Sequence, residues 1–120
     1  MVCPSGKAEL QRRMMLSFYS DVNIMSDEVS RKLDTDLEPY YGEPIPVVGH
    51  PDRNPLGTVK ARWTFCGRAK PYRTFFYVVS NVEYDLLIGR PSMRQQELYK
   101  ADPNIAKRLN ASFRGDQDRH

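Results

Sequence analysis

The chain has 120 residues, of which 40% are hydrophobic and 28% charged, and its formal net charge is +3. These values are ordinary for a soluble globular protein, and the length suits one compact domain rather than two lobes. They exclude a membrane-spanning protein, because no stretch approaches the ~20 consecutive apolar residues that a span needs.

The first part of the chain predicts a strand and a short helix. Residues 1–7 are expected to form a flexible N-terminus, and the second half of residues 7–16 a strand that enters the core. A helix is predicted over residues 26–33, because Ser26 is a good N-cap and two acids follow it in the first turn. An acidic loop is expected next, over residues 34–44.

The middle of the chain predicts an antiparallel sheet. A short strand is expected over residues 45–50, and a turn or projecting loop over the proline-rich residues 51–57. Residues 58–65 alternate between apolar and polar side chains, as in a half-buried strand. Residues 73–80 predict a central strand, and residues 86–88 a short buried strand that ends at a glycine.

The last part of the chain predicts helices. Pro91 or Ser92 is expected to open one helix, and the Asp102–Pro103 pair a second one that carries Ile105 and Leu109 on one face. We therefore divide the chain into the flexible N-terminus, a domain over residues 8–100, and a helical extension with a tail over residues 101–120.

Two segments together resemble the retropepsin-like aspartic proteases, in particular the fungal and Ty3/gypsy retrotransposon-derived members. They are MLSFYSDVNIMSDEVSRKL (15–33) and VEYDLLIGRPSM (82–93), and the resemblance covers roughly residues 8–100. It implies a mainly β, single-lobe, closed β-barrel, with a short helix after the Asp21 loop and one or more C-terminal helices.

The resemblance assigns a structural role to three residues. Asp21 matches the second, non-catalytic aspartate of the family motif, and Gly89 and Arg90 match its Gly-Arg pair. An arginine near the core needs a carboxylate partner, so we expect an Asp21–Arg90 ion pair that ties the loop to the helix. The alternative is that both are exposed charges, which contribute less than ~1 kcal/mol.

The catalytic triplet Asp-Ser/Thr-Gly of the family is replaced by Ser17, Phe18 and Tyr19. The serine hydroxyl does not titrate near neutral pH, the phenylalanine has no donor, and the tyrosine crowds a position where the family needs glycine. No catalytic residue is therefore expected, and the domain is predicted to be inactive. The two aromatic side chains could point into the core or into the cleft.

Three functions compete. The favoured one is an inactive retropepsin-like domain that acts as a binding or scaffold module, with a peptide or protein ligand held by strand addition. The alternative is an active homodimeric aspartic endopeptidase of retrotransposon origin. A nucleic-acid-binding β domain is not favoured, because the basic residues are scattered along the chain and no such motif accompanies them.

Other side chains offer few sites. His50, Asn54 and Leu56 are candidates for the cleft or the flap of the retropepsin-like fold, and the Asp-Thr-Asp at residues 34–36 lacks the family glycine. We expect no metal, no cofactor and no membrane partner, and either a homodimer or a monomer. Two cysteines and no secretory signal favour a reducing, intracellular compartment.

Overall fold

The computed structural model describes residues 1–6, 10–105 and 107. The strands within them are β1 (Val2–Ser5), β2 (Met14–Leu16), β3 (Ile24–Ser26), β4 (Ile45–Val47), β5 (His50–Arg53), β6 (Gly57–Phe65), β7 (Tyr72–Val79) and β8 (Leu86–Ile88). The helices are α1 (Asp27–Leu33), α2 (Arg90–Gln95) and a 3-10 turn (Leu98–Lys100).

Six strands form one sheet in the order β1-β6-β7-β3-β8-β2, and β4 and β5 form a separate hairpin. The sheet curls so that its first strand, β1, contacts the segment that leads into its last strand, β2. Val2 of β1 and Arg12, which leads into β2, exchange two backbone hydrogen bonds of 2.9 Å each. The first and last strands of the sheet are therefore linked through the segment that precedes β2.

The inner face of the sheet is mainly apolar. Along β6, Val59, Ala61 and Trp63 are buried while Lys60 and Arg62 are exposed, as the alternation in the sequence predicts. The indole N–H of Trp63 donates to the Thr74 hydroxyl at 2.9 Å, which satisfies the one polar group that this large side chain brings into the core.

The helix α1 begins where the sequence predicts. The Ser26 hydroxyl accepts a hydrogen bond from the Val29 N–H at 3.2 Å, and Val29 and Leu33 are fully buried. The helix ends at Asp34, whose φ of 54° lies in the left-handed region.

Two segments in the first half of the chain differ from the sequence-based expectation. Val2 is buried in β1, so part of the expected flexible terminus, residues 1–7, is a strand paired with β6. The predicted strand 45–50 is divided by a turn at Val48 and Gly49, and residues 50–53 of the expected loop 51–57 return as β5. Gly49 permits this tight turn because its φ is +82°.

The first of the predicted C-terminal helices is shorter than expected. Helix α2 already begins at Arg90, and Glu97 separates it from the 3-10 turn because its φ of 53° is left-handed. A second helical segment begins at Pro103, as the sequence predicts. Leu109 and nearly all of the predicted tail lie outside the described residues.

No helix in the described part of the chain is long and apolar enough to cross a membrane. Cys3 and Cys66 are not joined to each other by a disulfide.

Candidate functional site

The candidate site lies where two parallel strands end side by side. Strand β2 runs parallel to β8 with Leu16 beside Ile88, and the Ser17 N–H donates to the Ile88 carbonyl at 2.9 Å. Each strand then opens into a loop, one over residues 17–23 and one at Gly89. The first segment of the resemblance thus meets the second in space.

Gly89 lies at the closest approach of these two loops. A Cβ at this position would be 2.5 Å from the Ser20 carbonyl oxygen and 2.8 Å from that of Val22. Both obstacles are backbone atoms, so a side chain would force the loops apart. The contact explains why a glycine is needed where β8 ends and α2 begins.

Asn23 is the polar centre of the site, a role that was not predicted from the sequence. Its Oδ1 accepts the Gly89 N–H at 2.9 Å, and its Nδ2 donates to the Phe75 carbonyl at 3.0 Å and to the Ser92 hydroxyl at 2.6 Å. The side chain is buried, and its polar atoms are satisfied by these hydrogen bonds. They connect the loop 17–23 to β7, to Gly89 and to α2. The available signal was an amide placed between two apolar residues that lead into a buried strand.

Asp21 and Arg90 lie in contact at the surface. The Arg90 Nη2 is 3.4 Å from the Asp21 Oδ1, and the Asp21 side chain is 72% exposed. The Arg90 backbone N–H also donates to the Ser20 carbonyl at 2.9 Å. The Asp21 carboxylate is largely in solvent, which weakens this contact, although the Arg90 side chain is only 24% exposed. The Arg90–Ser20 backbone hydrogen bond and the Asn23 amide also hold the two loops together.

Phe18 and Tyr19 point in opposite directions. Phe18 is 3% exposed and belongs to the main hydrophobic core, whereas Tyr19 is 74% exposed. Ser17 is half-buried at the end of β2. The loop 17–23 contains one carboxylate, that of Asp21. This carboxylate contacts Arg90.

Asp34 and Asp36 give no second candidate for catalysis. Asp34 is the left-handed C-cap of α1, and Asp36 is exposed in the loop that follows. Within the described ranges, no group of three or more His, Cys, Asp or Glu side chains could hold a metal ion.

The hairpin β4–β5 is anchored by His50. The His50 Nδ1 lies 2.9 Å from Arg53 Nη2, which can only donate, so the ring proton belongs on Nε2. That Nε2 lies 2.8 Å from the Glu83 carboxylate. The hydrogen bond from His50 holds the pKa of Glu83 below its ordinary 4.5, with smaller help from a backbone hydrogen bond.

Asn54 and Leu56 lie beyond the hairpin, whose tip is Val48–Gly49. Both are exposed, and the Leu56 N–H donates to the Val78 carbonyl at 2.8 Å. Contact of His50, Asn54 or Leu56 with a ligand stays a prediction.

A cavity of about 360 Å³ opens beside β2. Its lining residues come from the end of the chain segment before β2, from β2 itself and from the loop before β8: Arg13, Met14, Met15, Glu83, Tyr84 and Asp85. Burial raises the pKa of Tyr84 to about 12, and its hydroxyl donates to the Val48 carbonyl at 3.4 Å. The cavity therefore lies where β2 and β8 begin, at the opposite end of these strands from Ser17, and Tyr84 connects it to the hairpin tip.

Comparison with known proteins identifies the fold. No protein-family profile matches the sequence, and no curated protein matches it. Among solved structures, the retroviral protease-like domain of Ddi1 from Leishmania major is similar, with a TM-score of 0.56 and 14% identity. The match covers 80% of this chain and 75% of that one. The predicted mainly β, retropepsin-like fold is thereby confirmed.

Proposed function

We propose that this retropepsin-like domain is catalytically inactive and acts as a binding or scaffold module. One observation carries the proposal: a serine stands at the end of β2, where the resemblance places the catalytic aspartate. Phe18 supports it, because the next position of the motif is filled by a core side chain rather than by a hydroxyl.

The chemistry of an aspartic protease requires two carboxylates about 3 Å apart that share one proton. One of them activates water and the other protonates the substrate. In a single-lobe enzyme each subunit of a homodimer supplies one carboxylate. Two copies of this chain would bring together two serine hydroxyls, which can neither share that proton nor activate water in this way.

The expected ligand is an extended peptide or a protein segment. Strand β2 lies at one end of the sheet order and pairs with β8 along a single edge in the described part of the chain. An added strand needs only backbone hydrogen bonds, and alternate side chains then enter pockets. The cavity beside Met15 suits one such side chain, because Met15 is 44% exposed there.

Cleavage and binding are tested on the same samples. The wild-type chain and Ser17→Asp are incubated with a broad peptide library at pH 4 to 7, with and without a pepstatin-like inhibitor. Neither protein is expected to cleave, because Ser17→Asp leaves Phe18 and Tyr19 unchanged. Inhibitor-sensitive cleavage by the wild type would instead establish the alternative, an active homodimeric aspartic endopeptidase of retrotransposon origin.

Binding is measured with the same library immobilised. Met15→Glu should abolish capture of the selected peptides, whereas Leu37→Glu, at another exposed apolar side chain, should leave it unchanged. Equal loss in both variants, or no peptide captured by the wild type, would leave a scaffold without a cleft ligand.

Two further properties belong to the proposal. We propose a homodimer through the loop that carries Tyr19, since that exposed ring lies beside the position where active relatives join two subunits. Sedimentation across concentration tests it, and a monomer at all concentrations would contradict it. An intracellular location stays a prediction.

A further inference from the structure

The fold gathers basic residues that are separated in the sequence. On the outer face of β6 and β7, Lys60 lies opposite Phe75 and Arg62 opposite Arg73. Tyr77 follows on the same face of β7. These five residues, Lys60, Arg62, Arg73, Phe75 and Tyr77, form what we call the basic face.

The charges of the basic face are unneutralised. None of the three cations lies within ion-pair distance of a carboxylate among the described residues, although other cations of the chain do. All three side chains are exposed. Glu38, an acid near this face, lies beside Thr58 at the far end of β6.

The arrangement costs stability. Like charges directly opposite on adjacent strands repel each other, and Arg62 and Arg73 occupy one such pair. A bound anion would remove this repulsion. The charge pattern therefore fits a polyanionic partner better than a solvated surface.

An aromatic platform accompanies the charges. Phe75 is 47% exposed, and its ring packs edge to face on Tyr77 with centroids 5.2 Å apart. Tyr77 packs in the same way on Tyr40 at 5.5 Å, so the exposed ring is supported from behind. Neighbouring side chains on one face of a strand lie about 7 Å apart, which places Phe75 one step from Arg73.

We propose that the basic face binds single-stranded nucleic acid. Unpaired bases stack on exposed aromatic rings while cations hold the phosphates, and this combination is typical of sequence-tolerant single-strand binding. An acidic peptide would use the cations but has no need of Phe75. This surface lies on β6 and β7 rather than at the Ser17 loop, so it is independent of the function proposed above.

The test uses a fluorescein-labelled 12-nucleotide oligo-dT and its oligo-U counterpart, followed by anisotropy between 25 and 200 mM salt. Three phosphate contacts predict a slope of log K against log salt of about −2, since each contact contributes about −0.7 on a single strand. A blunt duplex of the same length should compete poorly, because its bases are already stacked.

Matched variants distinguish the effect of the basic face on binding from the effect of the net charge of the protein. Lys60→Gln/Arg62→Gln should reduce the slope by about 1.4. Arg31→Gln/Lys32→Gln removes the same two residue types from α1, where both are ion-paired, and should leave binding unchanged. Phe75→Leu should weaken binding about tenfold, and Phe75→Tyr should retain it.

Three results would overturn the proposal. They are no binding at 25 mM salt, equal losses in the two double variants, and competition by poly-glutamate with no effect of Phe75→Leu. The last result would indicate an acidic protein segment as the partner. Because none of these variants touches the Ser17 loop, each outcome leaves the peptide-binding test unaffected.

Discussion

At the scale of single residues, the buried amide and the exposed carboxylate of the same loop make unequal contributions. Asn23→Ala would leave the Gly89 N–H and the Phe75 carbonyl without their partner, in a buried place. We expect a loss of roughly 2–4 kcal/mol in the free energy of unfolding. Asp21→Ala should cost less than ~1 kcal/mol, because its carboxylate is mostly solvated.

Urea denaturation of both variants checks this difference. A loss in Asp21→Ala that equals the loss in Asn23→Ala would show instead that the Asp21–Arg90 pair is the structural clasp that the resemblance implies.

Phe18, the second residue of the Ser17–Tyr19 triplet, contributes to the stability of the fold because its ring is part of the main hydrophobic core. Phe18→Thr, the substitution that brings back the family's hydroxyl, should cost roughly 3–5 kcal/mol, because it removes a buried ring from the main core. Tyr19→Gly should cost less than ~1 kcal/mol, because that ring is exposed. Thermal or urea unfolding distinguishes the two, and a small loss in Phe18→Thr would mean that the ring is not part of the core.

At the scale of elements, local sequence signals predicted α1 and β6. The hairpin β4–β5 and the role of Asn23 depend on contacts with distant parts of the chain and were not predicted. Ser26 marked the start of α1 because a cap is a local device, and the alternation in residues 58–65 fixed both faces of β6. The hairpin was missed, because Pro46 and Pro51 weaken a strand pattern but are tolerated in an edge hairpin. Asn23 was missed because its partners lie 52 to 69 residues away.

The hairpin β4–β5 should respond to acid through Glu83. Its pKa is lowered mainly by the hydrogen bond from His50, so its stabilising contribution is present above the ordinary pKa of 4.5. That contribution is lost as the pH falls through the lowered value. The stability difference between wild type and Glu83→Gln should therefore shrink between pH 5 and pH 3.

A double-mutant comparison isolates this effect. In a His50→Ala background, Glu83→Gln should change stability by an amount that depends much less on pH, as measured by urea denaturation across the same range. An equal pH dependence in both backgrounds would assign the lowered pKa to a different neighbour.

At the scale of the whole molecule, the predicted barrel depends on contacts that no local pattern contains. The sequence places no strand in residues 1–7, because four residues beginning with Val2 carry too little apolar periodicity. The structure closes the sheet with that same segment, through β6 on one side and Arg12 on the other. A strand that short forms because two neighbours pair with it.

This closure predicts slow amide hydrogen exchange at the N-terminus. The Val2 and Arg12 amides donate to each other's carbonyls, so both should exchange at least about a hundredfold more slowly than the amide of Tyr41, which lies in an exposed loop. Nuclear magnetic resonance or mass spectrometry can resolve the three sites. Equal rates would mean that the Val2–Arg12 bridge does not form and that the sheet is open between β1 and the segment that precedes β2. Protection of Arg12 together with Val2 would show that the edge of β1 is closed, because an open terminal strand protects neither of these two amides.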